Sequence, residues 1–545
     1  MRRSEALATL GVLLFLAVVL ATIKWARIDE MRGDTAIFLQ SMQSIREHGA
    51  PASEVLANTQ AFIRGGYFAD DARQLATSAL TPPKLPESLF KVHAYWILYP
   101  LALGTLIIPG LILIEAASAI GYIGVLGLAY VATRRRGVTI AGALLLCALI
   151  VASPAWAWGA LFGQFFPDRF FVLCGLAFML AIGREKRERS WQLALALLCV
   201  LINERAALVA GVFALAYAAL YRHASDRLFK AAIGALLVVY AAIVVHAESN
   251  VYAGFFPSTL HGLRIEFFNP AFLHATLTYL AVCLPFLILA AFEWRSAAIA
   301  ALLMLPNVFG SIGGAEKTGW DTHYHSYYFP ALVWAAIQGY AVLFRTARVP
   351  RLGIYGGTAL LAIFLCARYP SLTFFTNFPQ QALAVAANPY LQHRFGDELA
   401  AHIPYGADVT MVEAGMPYLY AGRTLHLFPL GVDHAQYAVL DDLGNGEYGG
   451  VPNRYPKQAR DADRLIAARM QRDGYDFAAA VRVPGLGLVI VKRERLLQPC
   501  DVRAASSAKT ARRTSAHSKS TECRPGSVSR RALPYPASVR DPSAT

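Results

Sequence analysis

The sequence predicts a multi-span α-helical membrane protein, with about 11 transmembrane helices and a small outer α/β carboxy-terminal domain. Three observations lead there. Of its 545 residues 56% are hydrophobic and only 16% charged, and the mean hydropathy is +0.42, far from the composition of a soluble chain of this length. Apolar runs recur between residues 10 and 366, and the arginines between them fall in alternate loops.

The first run, Ala6 to Ile23, follows Met1-Arg2-Arg3 and precedes no small-x-small cleavage site, so residues 1–24 read as a retained signal anchor. Residues 25–110 read as an outer loop carrying Asp29, Glu30 and Asp34, a helix over Thr35 to His48, and a proline-rich exit from Thr81 to Pro86. Treating Val92 to Ile108 as a span would put Arg134-Arg135-Arg136 on the outer face. Its His93, Tyr95, Trp96 and Tyr99 instead suggest an interfacial or re-entrant helix.

Residues 111–368 form the multi-span core. Spans are expected near Leu10–Ile23, Leu111–Ala132, Val138–Ala155, Phe170–Gly183, Trp191–Ile202 and Ala207–Tyr221. Further spans follow near Leu228–Val245, Phe272–Phe292, Ala297–Ile312, Ala331–Phe344 and Gly353–Cys366. The pair meeting at Asn203-Glu204-Arg205 is short, and a partly inserted hairpin is the alternative there. The basic loops place the amino terminus in the cytoplasm and everything beyond Arg368 outside.

Hydrophobicity falls after Arg368, and residues 369–500 alternate strand-like runs at Asp408, Tyr437 and Gly487 with a helix over Ala459 to Asp473, a compact outer α/β domain. Residues 501–545 are rich in Ser, Ala, Arg and Pro without apolar period, a disordered basic tail.

The net charge of +14 comes from these loops and the tail, which fits positive-inside bias better than nucleic acid. Five of the seven cysteines lie in apolar segments, Cys500 and Cys523 near or in the tail, and none has metal-ligand spacing. Phosphate-loop, zinc-protease and nucleophile-elbow motifs are absent, which removes support for ATP-driven transport and for zinc or serine hydrolysis.

Charged groups among apolar runs are costly to keep and so point to chemistry. Asp34 is either a reactive outer carboxylate or a helix N-cap. Asp168, in the turn Gln164 to Arg169, is suited to binding a divalent ion or an acceptor, or else to pairing with Arg169. Glu204 and Arg205 either neutralise each other or face a substrate cavity. His323 and His325 share a face only in an extended strand, so a two-histidine metal site is weakly supported; with Lys317 they suit a phosphate, and their interfacial position gives the plain alternative. Arg264 is a further phosphate candidate or a snorkelling arginine, and His93 begins the interfacial helix facing the expected cavity, a plain interfacial histidine being the alternative.

Several strings resemble known sequences. Gly33-Asp34-Thr-Ala-Ile-Phe-Leu-Gln40, Val92-His93, Gly163-Gln-Phe-Phe-Pro-Asp168, Ile202-Asn-Glu-Arg205, His323-Tyr-His325-Ser-Tyr-Tyr-Phe-Pro330, Ile403-Pro404 and Leu427-Phe428-Pro429 are similar to an uncharacterised bacterial membrane-protein family, domain of unknown function 2079. The order of segments resembles the GT-C class of polyprenyl-phosphate-sugar-dependent glycosyltransferases. The resemblance implies a bacterial inner-membrane enzyme that moves a sugar from a polyprenyl-phosphate donor to a lipid, glycan or protein acceptor. Asp34 would be its base, and Asp168, from its place in the turn, is the second catalytic candidate. No cofactor is assigned, and the Asp168 turn leaves room for a divalent metal ion. The alternative is a transporter or flippase of a lipid-linked or small polar solute, with Glu204 lining the path.

Overall fold

The computed structural model describes residues 3–26, 33–64, 82, 86–161, 164–184, 188–223, 226–247, 260–312, 314–320, 322–346, 350–368, 380, 383, 387, 391–444, 446–450 and 456–494. Asp29, Glu30, most of the proline-rich exit, Asp321, Cys500 and the 501–545 tail lie outside them. Residues 1–495 form one compact unit.

Every expected span coincides with a helix. In order these are α1 (Arg3–Ala26), then the non-spanning α2 (Gly33–His48), α3 (Glu54–Arg64) and α4 (Leu98–Gly104), then α5 (Gly110–Arg135), α6 (Ile140–Ala152), α7 (Pro154–Leu161), α8 (Phe170–Ile182), α9 (Arg189–Ile202), α10 (Glu204–Leu220) and α11 (Arg227–Ala247). After the short α12 (Leu260–Phe268) come α13 (Pro270–Ala290), α14 (Trp294–Phe309), the one-turn α15 (Ala315–Thr318), α16 (His325–Thr346) and α17 (Arg351–Arg368).

Six of these, α1, α5, α11, α13, α16 and α17, are long and apolar enough to cross a membrane, and α6 with α7, bent by 67°, would make a seventh. The remaining expected spans, α8, α9, α10 and α14, are helices of 13, 14, 17 and 16 residues. Leu7, Leu10, Val12, Phe15 and Val18 of α1 all stand exposed, a surface that suits lipid and not water.

Helix α16 runs through the middle of the bundle against α8, α13 and α14, burying Trp334 and Tyr340 completely. Helices α10 and α11 meet through paired glycines. A Cβ on Gly211 would stand 2.9 Å from the Gly234 carbonyl oxygen, and the reverse holds too, so the small residues let the two backbones touch. Helix α1 lies along α5, where Lys24 Nζ is 3.3 Å from Glu115 Oε2 with both side chains 3% exposed.

The 92–108 stretch differs from expectation. His93 does not begin a helix: residues 93–95 are irregular, and only Leu98–Gly104 are helical. The reason is tertiary, because the Ile97 amide donates to the Leu201 carbonyl at the end of α9 (2.6 Å) instead of to a carbonyl one turn earlier in its own segment.

Beyond the helices, α18 (Leu391–His402) leads into a six-stranded sheet: β3 (Asp408–Met411), β4 (Thr424–Leu427), β5 (Tyr437–Gly444), β6 (Glu447–Gly449), β7 (Tyr475–Val483) and β8 (Leu488–Arg493), with α19 (Met416–Leu419) and α20 (Pro456–Arg472) between strands. The short pair β1 (Ala52–Ser53) and β2 (Glu87–Ser88) closes the earlier loop. In the sheet the order is β4-β3-β5-β8-β7, with β3 parallel to both neighbours, β8 antiparallel to β5 and β7, and β6 paired to β5.

A second hydrophobic core joins this sheet to the first loop. Ile37, Phe38 and Leu39 of α2, Tyr95, Leu98 and Phe165 share it with Val409, Leu425, Val439 and Ile490. The loop and the carboxy-terminal strands therefore form a single layer on one end of the helices.

Candidate functional site

Where the helices meet this layer, three chain segments converge on one buried carboxylate. Pro167 opens a tight 3-10 turn ahead of α8 and leaves Asp168 fully buried. Its Oδ2 accepts the Tyr95 hydroxyl at 2.6 Å, and its Oδ1 accepts the Asn203 amide at 2.8 Å and the Tyr327 hydroxyl. Asn203 stands in extended backbone between α9 and α10 and also caps α10 by accepting the Ala206 amide at 2.8 Å, so the break between two helices aims its side chain at the carboxylate.

Burial pushes the Asp168 carboxyl up, but the imidazoles of His323 and His93 and the hydroxyls of Tyr327 and Tyr95 outweigh it and hold it at about 2. Burial and the Asp168 charge push the Tyr95 phenol well up, so it remains a donor. Burial also pulls His323 down to about 4, despite the attraction of Asp168. At neutral pH the centre is thus a carboxylate beside a neutral imidazole, its charge carried by donors that do not titrate nearby.

Around it, Glu204 is fully buried and accepts from His93 Nδ1 (2.8 Å) and the Ala94 amide (3.0 Å). Arg205 NH1 approaches His323 Nε2 at 3.5 Å, and the His323 ring packs on Phe166 with centroids 4.6 Å apart. Arg169 donates to the Gly159 carbonyl (2.7 Å) and the Thr322 carbonyl (3.0 Å), tying the turn to the loop ahead of α16. His325 is held one layer deeper by Tyr122, 2.7 Å from its Nε2. The two histidines thus face different partners.

Asp34 lies in the first turn of α2, partly exposed, where the helix N-terminus favours an anion. Gly33 sits against Glu413, with only 3.4 Å between a built Cβ and Glu413 Cγ. One turn on from Asp34, the Phe38 ring packs on Tyr95 and Phe166 with centroids 5.6 and 6.0 Å apart, so α2 lies against the residues that surround Asp168 and His323.

The structure therefore brings together Asp168, His93, Glu204, Arg205 and His323, with His325 held by Tyr122, and packs the helix that carries Asp34 alongside them. It does not bring in Lys317 or Arg264. Lys317 is buried against Glu316 (2.6 Å) and over the Phe272 ring (3.9 Å), an internal ion pair, while Arg264 is exposed on α12. Asp168 meets donors at both oxygens, a surrounding that suits an anion and not a cation. Tyr95, Asn203 and Tyr327 carry the centre, and no spacing in the sequence assigns them to it. Only Asn203, a polar residue interrupting an apolar run, gave a readable signal.

No protein-family model and no curated protein matches the chain. Among solved structures, that of ArnT from Cupriavidus metallidurans bound to undecaprenyl phosphate is similar, at 14% identity and a TM-score of 0.42 over 77% of this chain and 86% of that one. A likeness of that degree says nothing about the activity of this chain.

Proposed function

We propose that the chain is an integral membrane glycosyltransferase of GT-C-like organisation. It would move a sugar from a polyprenyl-phosphate donor to a lipid, glycan or protein acceptor at the outer leaflet of a bacterial inner membrane. The observation that carries this reading is the approach of Arg205 to His323 at the end of the apolar helices, where Phe166 packs between His323 and Phe38 of the helix that begins with Asp34 in its first turn. A lipid-linked donor keeps its tail in the bilayer and presents its phosphate at such a junction.

Glycosyl transfer asks for a base on one face of an oxocarbenium-like centre and for neutralisation of the departing phosphate on the other. Arg205, with the His323 ring beside it, supplies a cation and a nitrogen donor for the phosphate. Asp34, partly exposed, is the base that accepts the proton of the acceptor hydroxyl. Asp168, engaged at both oxygens, fixes the three segments that carry these groups and acts as a positioning residue. The transporter reading loses its carrier charge, since Glu204 is held by His93 and the Ala94 amide.

Proteoliposomes carrying the wild-type chain or Asp34→Asn, supplied with a panel of radiolabelled polyprenyl-phosphate sugars, test the proposal. Transfer by the wild type and its loss in correctly inserted Asp34→Asn support it. Absence of transfer with every donor overturns it, and equal transfer by both removes Asp34 from the chemistry.

A further inference from the structure

A second cluster lies in the carboxy-terminal sheet, far along the chain from the residues above. Asp408 opens β3, His426 lies in the parallel neighbour β4, and His434 lies in the turn that leads to β5. One donor atom from each lies within 4.8 Å of the others. The register pairs Asp408 with Thr424 and Thr410 with His426, so Asp408 and His426 share one face of the sheet, two positions apart.

The detail that sets this cluster apart from an ordinary ion pair is its poor hydrogen bonding. His426 Nε2 stands 2.5 Å from Asp408 Oδ1, yet the two atoms are not aligned for a hydrogen bond. Neither of them, nor His426 Nδ1, has a hydrogen-bond partner among the described residues, although His426 is only 5% exposed. Buried polar atoms left without hydrogen-bond partners on an imidazole and a carboxylate, with a second histidine within reach, are the arrangement a cation satisfies.

The backbone holds the ring in place. Gly431, at φ +87°, passes so close that a built Cβ would stand 2.8 Å from His426 Cδ2, and the Gln436 amide donates to the Asp408 carbonyl at 2.8 Å. His434 Nε2 is 3.7 Å from Asp408 Oδ2, and its side chain is 41% exposed and able to adjust. A tetrahedral zinc ion with metal–ligand distances of about 2.0–2.1 Å spaces its ligands about 3.3 Å apart, within a small movement of these positions. Glu54 of α3, whose Oε2 accepts the Leu425 amide at 3.2 Å, adds negative charge within electrostatic reach of both Asp408 and His426.

We propose that Asp408, His426 and His434 bind one divalent transition-metal ion of the zinc class, with water completing its coordination. Two imidazoles and one carboxylate suit zinc over calcium or magnesium, which take oxygen ligands. The ion would lock the β4–β5 turn onto the sheet where α3 packs. This site is independent of the transfer reaction.

The test uses the full-length chain without a histidine tag, purified in detergent, stripped with a chelator and titrated with zinc by calorimetry and with cobalt by visible absorption. The expected result is one zinc per chain, cobalt bands of imidazole coordination, and binding weakened on the order of 100-fold in His434→Ala and Asp408→Asn but unchanged in Asp34→Asn. His434 is partly exposed, so its variant tests binding without threatening the fold. Wild-type chain with no cobalt spectrum and no zinc affinity tighter than about 100 µM would overturn the assignment, as would unchanged binding in both variants.

Discussion

His93 Nδ1 and Glu204 Oε1, 111 residues apart in sequence, stand 2.8 Å from each other with Glu204 fully buried. The pair fastens the irregular segment ahead of α4 to the first turn of α10. With the Ala94 amide on the other Glu204 oxygen, it fixes the segment that delivers Tyr95 to Asp168.

A double-mutant cycle on this pair should therefore show strong coupling. Glu204→Gln and His93→Ala are each expected to destabilise the protein by about 1–3 kcal/mol, and the double variant by clearly less than their sum. Thermal unfolding in detergent reads this directly, and additive effects would mean that the two side chains do not work as a unit.

Asp168→Asn should be the more damaging change. The amide replaces an acceptor that receives Tyr95, Asn203 and Tyr327, leaving buried donors without an anion, at a cost of about 2–4 kcal/mol. A melting temperature equal to that of the wild type would show that the carboxylate does not hold these segments together.

Acid should loosen the cluster in a defined window. A histidine whose folded pKa is lowered binds fewer protons folded than unfolded, so stability is present above its ordinary value near 6.5 and is lost as pH falls toward about 4. Asp168, held at about 2, adds loss only below about 4, when the unfolded carboxylate protonates. His323→Asn is expected to flatten the unfolding profile between pH 6.5 and pH 4, while a wild-type profile flat through that window would contradict the buried neutral imidazole.

The ion pair between α1 and α5 gives a test remote from the cluster. Lys24→Met leaves Glu115 buried without its cation and is expected to cost about 3–5 kcal/mol, much of it recovered when Glu115→Leu is added. No recovery in the double variant, scored by unfolding of the inserted protein, would locate the loss elsewhere.

Arg205 bears on activity. Its replacement by Gln should raise the KM for a polyprenyl-phosphate donor by about 10-fold to 100-fold, as expected when a charge-assisted contact to phosphate is removed, while leaving the fold intact. A change confined to kcat would place Arg205 outside donor binding.

Sequence by itself determined the helices and their order. Apolar runs such as 331–344 and 111–132 have no other way to satisfy their backbone in an apolar medium, and each lies in a helix of the structure. It also marked Asp168, His93, Glu204, Arg205 and His323, because a polar residue among apolar neighbours must be there for a partner. It did not reveal what those partners are. Lys317 reads in sequence much like Arg205, yet one is neutralised by its chain neighbour Glu316 and the other stands beside His323. The zinc-class cluster was invisible for the same reason: Asp408, His426 and His434 come from two strands and a turn, and only parallel strand pairing brings them within 4.8 Å. Local pattern dictates local structure, whereas the meeting of distant side chains is decided by packing, which no spacing along the chain records.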